Sequence, residues 1–127
     1  MFDYTVKTEK SIKEAIKSLE ESLKQAKFGV LWMFDIKEKL QEKGLEFSKE
    51  FKVLEVCNPV EAERVLSENE MAGYFLPCKI VVYENNGKTN IGMPRPSALI
   101  SLLEDEKMKS LAEDIEERLI SCINTSI

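Results

Sequence analysis

Leu54-Glu55-Val56-Cys57-Asn58-Pro59 (residues 54–59) and Pro77-Cys78-Lys79-Ile80-Val81-Val82-Tyr83-Glu84-Asn85-Asn86-Gly87 (residues 77–87) decide the fold of this chain. The first stretch closes a strand pattern that begins at Phe51 and opens a helix. Asn58 is the cap, Pro59 takes the first helical position, and Glu61 faces the positive end of the helix dipole. The second carries an apolar run into Asn-Gly, two residues that tolerate the positive φ angles of a tight hairpin turn. Thr89, Ile91 and Met93 then alternate as the returning strand, residues 88–93. If strands 51–57 and 78–84 are antiparallel neighbours, the end of one lies beside the start of the other, which predicts that Cys57 and Cys78 come together.

Working outward toward the N-terminus, Phe2, Tyr4 and Val6 alternate with polar residues over residues 2–8, the period of a half-buried strand. Ser11 and Glu14 form a capping box, and Ile12, Ala15, Ile16, Leu19, Leu23 and Ala26 fall at helical spacing, predicting an amphipathic helix to about Lys27. Phe28-Gly29 breaks that pattern. Val30-Leu31-Trp32-Met33-Phe34 is apolar throughout and is expected to be an inner strand buried on both sides, with Trp32 as a core anchor or dimer contact. Asp35 and Glu38 start a short helix over residues 36–43, closed by Gly44.

In the strand 51–57, Phe51, Val53, Glu55 and Cys57 share one face, and Lys52, Leu54 and Val56 the other. An unpaired Glu55 carboxylate among apolar neighbours is costly, so it is expected to be exposed or ion-paired, with a place at a cleft mouth as the functional alternative. A helix over residues 60–69 leads into a linker, residues 71–77, whose Gly73-Tyr74-Phe75-Leu76 is apolar enough to cover the core or meet a second subunit. Beyond the hairpin, Ser97 is read as opening a short helix to Leu103 and Asp105 as capping the last one. There Met108, Leu111, Ala112, Ile115, Leu119 and Ile123 face inward, with Glu113, Asp114, Glu116, Glu117 and Arg118 largely outside. The order predicts an α+β fold: about five mostly antiparallel strands with helices packed on one face, in a single domain over residues 1–127.

Composition narrows the chemistry. The 127 residues are 43% hydrophobic and 32% charged, which suits one folded domain rather than a disordered chain. No apolar run reaches the roughly 18 residues of a membrane span and no signal peptide is apparent, so a cytoplasmic protein with no membrane partner is expected. A net charge of −5 gives little attraction for nucleic acid, and none is expected as a partner. The chain has three cysteines and no histidine, which removes the commonest general base and metal ligand together. No phosphate loop, nucleophile elbow or metal-protease helix motif occurs, so no catalytic residue is assigned and no cofactor is expected.

The N-terminal strand of Phe2, Tyr4 and Val6, the run Phe28-Gly29-Val30 with Asp35, the phrase Glu55-Val56-Cys57-Asn58-Pro59, and Leu76-Pro77-Cys78 followed by an apolar strand and Asn86-Gly87 together resemble the bacterial and archaeal family known as domain of unknown function 302. The resemblance covers nearly the whole chain. It implies a small α+β fold with strand order similar to the TATA-binding-protein-like group, and a homodimer. It implies no reaction, and a shared topology does not make a DNA-binding protein.

Five residues are carried forward as candidate binding residues: Glu55, Cys57, Asn58, Cys78 and Arg95. Cys57 lies just before a helix N-terminus, where the dipole and free amides favour a thiolate. With Cys78 beside it, the pair is suited to a reversible disulfide or to holding a soft metal or sulfur species. The competing and favoured reading is that both are small buried residues. A closed zinc site normally needs four ligands, so two thiols would require carboxylates or a second subunit, and the identity of any metal stays open. Cys122 is read as packing. Arg95, held between Pro94 and Pro96, is suited to a carboxylate or phosphate, or to a surface ion pair. Two functions remain in play: a homodimeric binding or interaction module with a cleft near Cys57 and Cys78, and a thiol-based redox, sulfur-carrier or metal-handling protein using that pair. Whether the chain is an enzyme stays open.

Overall fold

The computed structural model describes residues 1–127. Its elements are β1 (Asp3–Thr8), α1 (Ile12–Gln25), β2 (Gly29–Asp35), α2 (Ile36–Glu42), β3 (Phe51–Cys57), α3 (Pro59–Glu68), a 3-10 turn (Glu70–Phe75), β4 (Cys78–Asn85), β5 (Lys88–Pro94), α4 (Pro96–Ile100), a second 3-10 turn (Ser101–Leu103) and α5 (Glu106–Ser126). The five strands form one sheet in the order β1-β5-β4-β3-β2, every neighbouring pair antiparallel. The fold is therefore mixed α+β, and its strand order is compatible with the TATA-binding-protein-like topology.

Local sequence accounts for most boundaries. Ser11 and Glu14 make both bonds of the capping box, and the Asp35, Asn58 and Asp105 carboxylate or amide oxygens accept first-turn N–H groups of α2, α3 and α5. Gly44 has φ 76°, and Asn86 and Gly87 have φ 53° and 74°. Asn85 pairs Lys88, so the hairpin turns in those two left-handed residues alone.

The core lies between the sheet and helices α1 and α5. Leu19 and Leu23 of α1 and Met108, Leu119 and Ile123 of α5 are fully buried with Leu54, Val56, Ile80, Val82 and Ile91 of the sheet. Burying a side chain of this size contributes roughly 1.5–3 kcal/mol, so this layer dominates the folding energy. Because side chains alternate, the same strands present Phe51, Val53 and Glu55, and across the register Lys79, Val81 and Tyr83, on the opposite face. No helix is long and apolar enough to cross a membrane.

The run at residues 30–34 departs from expectation. It is the edge strand β2, paired only with β3, and Leu31, Trp32 and Met33 are 62%, 59% and 45% exposed. Trp32 is thus no core anchor; it stacks on Phe34 with ring centroids 5.3 Å apart. An all-apolar run is the mark of a strand covered on both sides, but here a shift in register between Val30 and Trp32 and the end position leave it open. Residues 71–77 also differ: most of the linker is a 3-10 turn that buries Ala72 and leaves Tyr74 exposed.

Candidate functional site

The start of β4, the end of β5, the 3-10 turn after α3 and the segment after β5 bring together an apolar cleft. It holds about 290 Å³ and is lined by 18 residues, 14 of them hydrophobic. The 3-10 turn and Leu76 form one wall, the ends of β4 and β5 the floor, and α4 and α5 the other wall, through residues such as Cys78, Met93, Leu99 and Met108. The cause is local. Pro77 and Pro94 border the sheet ends, Pro96 starts α4, and a proline cannot donate to a ladder or helix interior. The chain therefore leaves the sheet there and folds over instead of extending it. The Leu76–Pro77 peptide bond is cis.

Of the five candidate residues, only Cys78 lines this cleft. Its thiol is pushed up to about 11, first by burial and then by the nearby Cys57 and Glu55 charges. It is a neutral thiol at ordinary pH. The register makes Cys57 and Cys78 diagonal neighbours and not a directly opposed pair. Val56 lies directly opposite Cys78, and Cys57 follows it as the last residue of β3. All three cysteines are free. Cys57 and Cys78 both border a void of about 20 Å³ at the start of α3, room for little more than a water.

The remaining candidates have structural partners. Asn58 Oδ1 accepts the Val60 and Glu61 N–H groups at 3.0 and 3.2 Å, which makes it a buried helix cap. Glu55 faces Lys79 directly across the strands, and Lys79 Nζ donates to its Oε1 at 2.6 Å. Its Oε2 is shut away from solvent without a partner. Arg95 donates from Nε to the Asp3 carbonyl at 3.1 Å and from Nη1 to Glu116 Oε2 at 3.2 Å, and stacks over Tyr4.

Glu116, expected outside, is buried beside the cleft. Besides Arg95 it accepts the Ser97 N–H at 3.0 Å and the Ser97 hydroxyl at 2.6 Å. Burial alone would raise its pKa, but the two Ser97 bonds and the Arg95 charge outweigh it and hold the carboxyl below its usual value. Ser97 is accordingly not the cap of α4; that position belongs to Arg95, which makes no side-chain cap bond. The only sequence signal for this network is Arg95 fixed between two prolines, since Glu116 looks like any surface glutamate of a helix. Cys122 packs as expected: it is buried, its thiol donating to the Ser22 carbonyl at 3.6 Å.

No group of three or more His, Cys, Asp or Glu side chains is arranged to hold a metal ion. What the geometry offers is a preformed apolar recess with few polar groups at its walls.

Fold and recess define a small α+β domain built as one antiparallel sheet with a ligand-sized cleft at one end. The family described as "Domain of unknown function DUF302" matches residues 4–126, and the chain belongs to it. A solved structure described as that of an uncharacterized conserved protein DUF302 from Bacillus stearothermophilus is 56% identical, with a TM-score of 0.98 over 100% of this chain and 99% of that one. No curated protein matches the chain.

Proposed function

We propose that this protein is a homodimeric binding module whose apolar cleft takes a small molecule. The observation that carries this reading is the cleft itself. At about 290 Å³ it stands at the lower end of the roughly 300–1,000 Å³ of small-ligand sites, and most of its lining is apolar. The second copy is argued from β2. Its free edge and its exposed Leu31, Trp32 and Met33 form an unprotected strand edge of the kind that pairs with another chain, and antiparallel pairing of β2 with its own copy satisfies a two-fold axis.

The thiol-based alternative draws less support. Cys78 is held as a neutral thiol, and all three cysteines are free.

The test is a screen of chemically diverse small molecules against the melting temperature of the protein, since a ligand that binds only the folded state raises it. Hits are expected to lose their effect in Leu99→Gln, a half-buried position on the cleft wall that the fold should tolerate. A screen with no hits, or hits indifferent to that change, would remove the cleft from consideration.

A further inference from the structure

We infer that the ligand of the cleft is an amphiphilic carboxylate with an aliphatic chain of about ten carbons, an inference that rests on the cleft being a binding site. Size comes first. A cavity of roughly 150 Å³ accommodates the six carbons of benzene, so one of about 290 Å³ suits about twice as many non-hydrogen atoms, which a ten-carbon carboxylate supplies.

Charge follows from the lining. Apart from Lys79, the 18 residues are hydrophobic residues and prolines, and no acidic side chain is among them. Tyr74, at the same wall, is 84% exposed and adds a phenol donor at the mouth. A cation and a phenol at the rim of an apolar recess complement an anionic head on an apolar tail, and disfavour an ammonium head. The Lys79 side chain leaves the backbone on the face opposite the core, but it is the second residue of β4 and so stands at the end of the sheet where the cleft opens. It is half exposed with its ammonium on Glu55, and its flexible four-carbon stem lets that ammonium turn toward the mouth when a ligand anion is there. Lys79 gives one of its three N–H donors to Glu55, which leaves two for a ligand oxygen.

The experiment uses the whole chain with labelled methyl groups and three probes below their micelle thresholds: decanoate, 1-decanol and decylammonium. Methyl shifts at Leu99 and Met108 report occupancy of the cleft, and titration gives the affinity. Decanoate is expected to bind at least tenfold more tightly than either competitor. Lys79→Met, which keeps the stem, should abolish that preference while leaving decanol binding unchanged. Equal affinity for decanoate and decanol, or a preference that survives Lys79→Met, overturns the assignment of an anionic head but leaves an apolar cleft. Unmoved methyls with all three probes overturn the cleft itself.

Discussion

Glu116 shows how much one side chain can be misjudged from its neighbours. It lies between exposed Glu113 and Glu117 on α5, but Ile115 and Leu119 turn that part of the helix inward, and α4 closes over it. There it joins Arg95 and Ser97. Glu116→Gln should lower the unfolding free energy by about 1–3 kcal/mol, because it leaves a partly buried guanidinium without its counter-charge; chemical denaturation midpoints of the two proteins measure it. Since the folded pKa is lowered, the unfolded chain binds the proton first as pH falls. The contribution is therefore complete above the unfolded value of about 4.3 and lost as pH drops through the folded value. Asp35 shifts the same way, chiefly through its bond from Lys52, so wild type should lose stability steeply below about pH 4 and Glu116→Gln less steeply. Parallel acid limbs would show that the network contributes nothing. Cys78 offers a second check. With its thiol near 11, alkylation by iodoacetamide at pH 8 should be on the order of a hundredfold slower than for an ordinary cysteine of pKa about 8.5. Fast modification at Cys78, located by peptide mass mapping, would revive the thiol-based function.

At the scale of elements, the turns are where sequence and backbone agree best, with Lys27 and Glu104, both at positive φ, as the exceptions. Gly87 has φ 74°, and no atom lies within 4 Å of where a Cβ would stand, so its conformation is held for backbone reasons alone. Gly87→Ala should therefore cost about 1–2 kcal/mol, the usual penalty of a left-handed L-residue, with no change in the rest of the sheet. Lys27, which follows α1, has the same handedness at φ 70° without being glycine. The Phe28 N–H nevertheless closes the helix end by donating to the Leu23 carbonyl at 2.8 Å. Lys27→Gly should stabilise the protein by about 0.5–1 kcal/mol, the relief of strain being partly offset by the entropy of glycine in the unfolded chain. Thermal unfolding of both variants checks the pair, and opposite signs are required. The helices were legible because their caps are short-range hydrogen bonds. Strand β2 was legible as a strand but not as an edge, because its composition reports how apolar it is and not how many partners it has.

For the molecule as a whole, burial is incomplete on the second face of the sheet. Phe51 stacks on Tyr83 with ring centroids 5.2 Å apart, and Trp32 on Phe34, so the aromatics of β2, β3 and β4 form one partly exposed field running to the β2 edge. If a second copy joins there, sedimentation equilibrium should give twice the chain mass. Trp32→Lys should give a monomer with an unchanged far-ultraviolet spectrum, because Trp32 holds little of the core. A wild-type monomer at micromolar concentration would leave that edge free and end the dimeric part of the proposal.

The sequence by itself determined the elements, their order, the hairpin and the family, since caps, side-chain periods and Asn-Gly turns are decided by free energies acting within a few residues. It also determined that no histidine chemistry operates. Only the tertiary structure decided that β2 lies at an edge, that Cys57 and Cys78 border one small void, that Glu116 meets Arg95, and that prolines at the sheet ends leave a cleft. Each of these depends on which distant segments become neighbours. Apolar character says that a side chain gains by leaving water, but the sheet order alone says what is there to cover it.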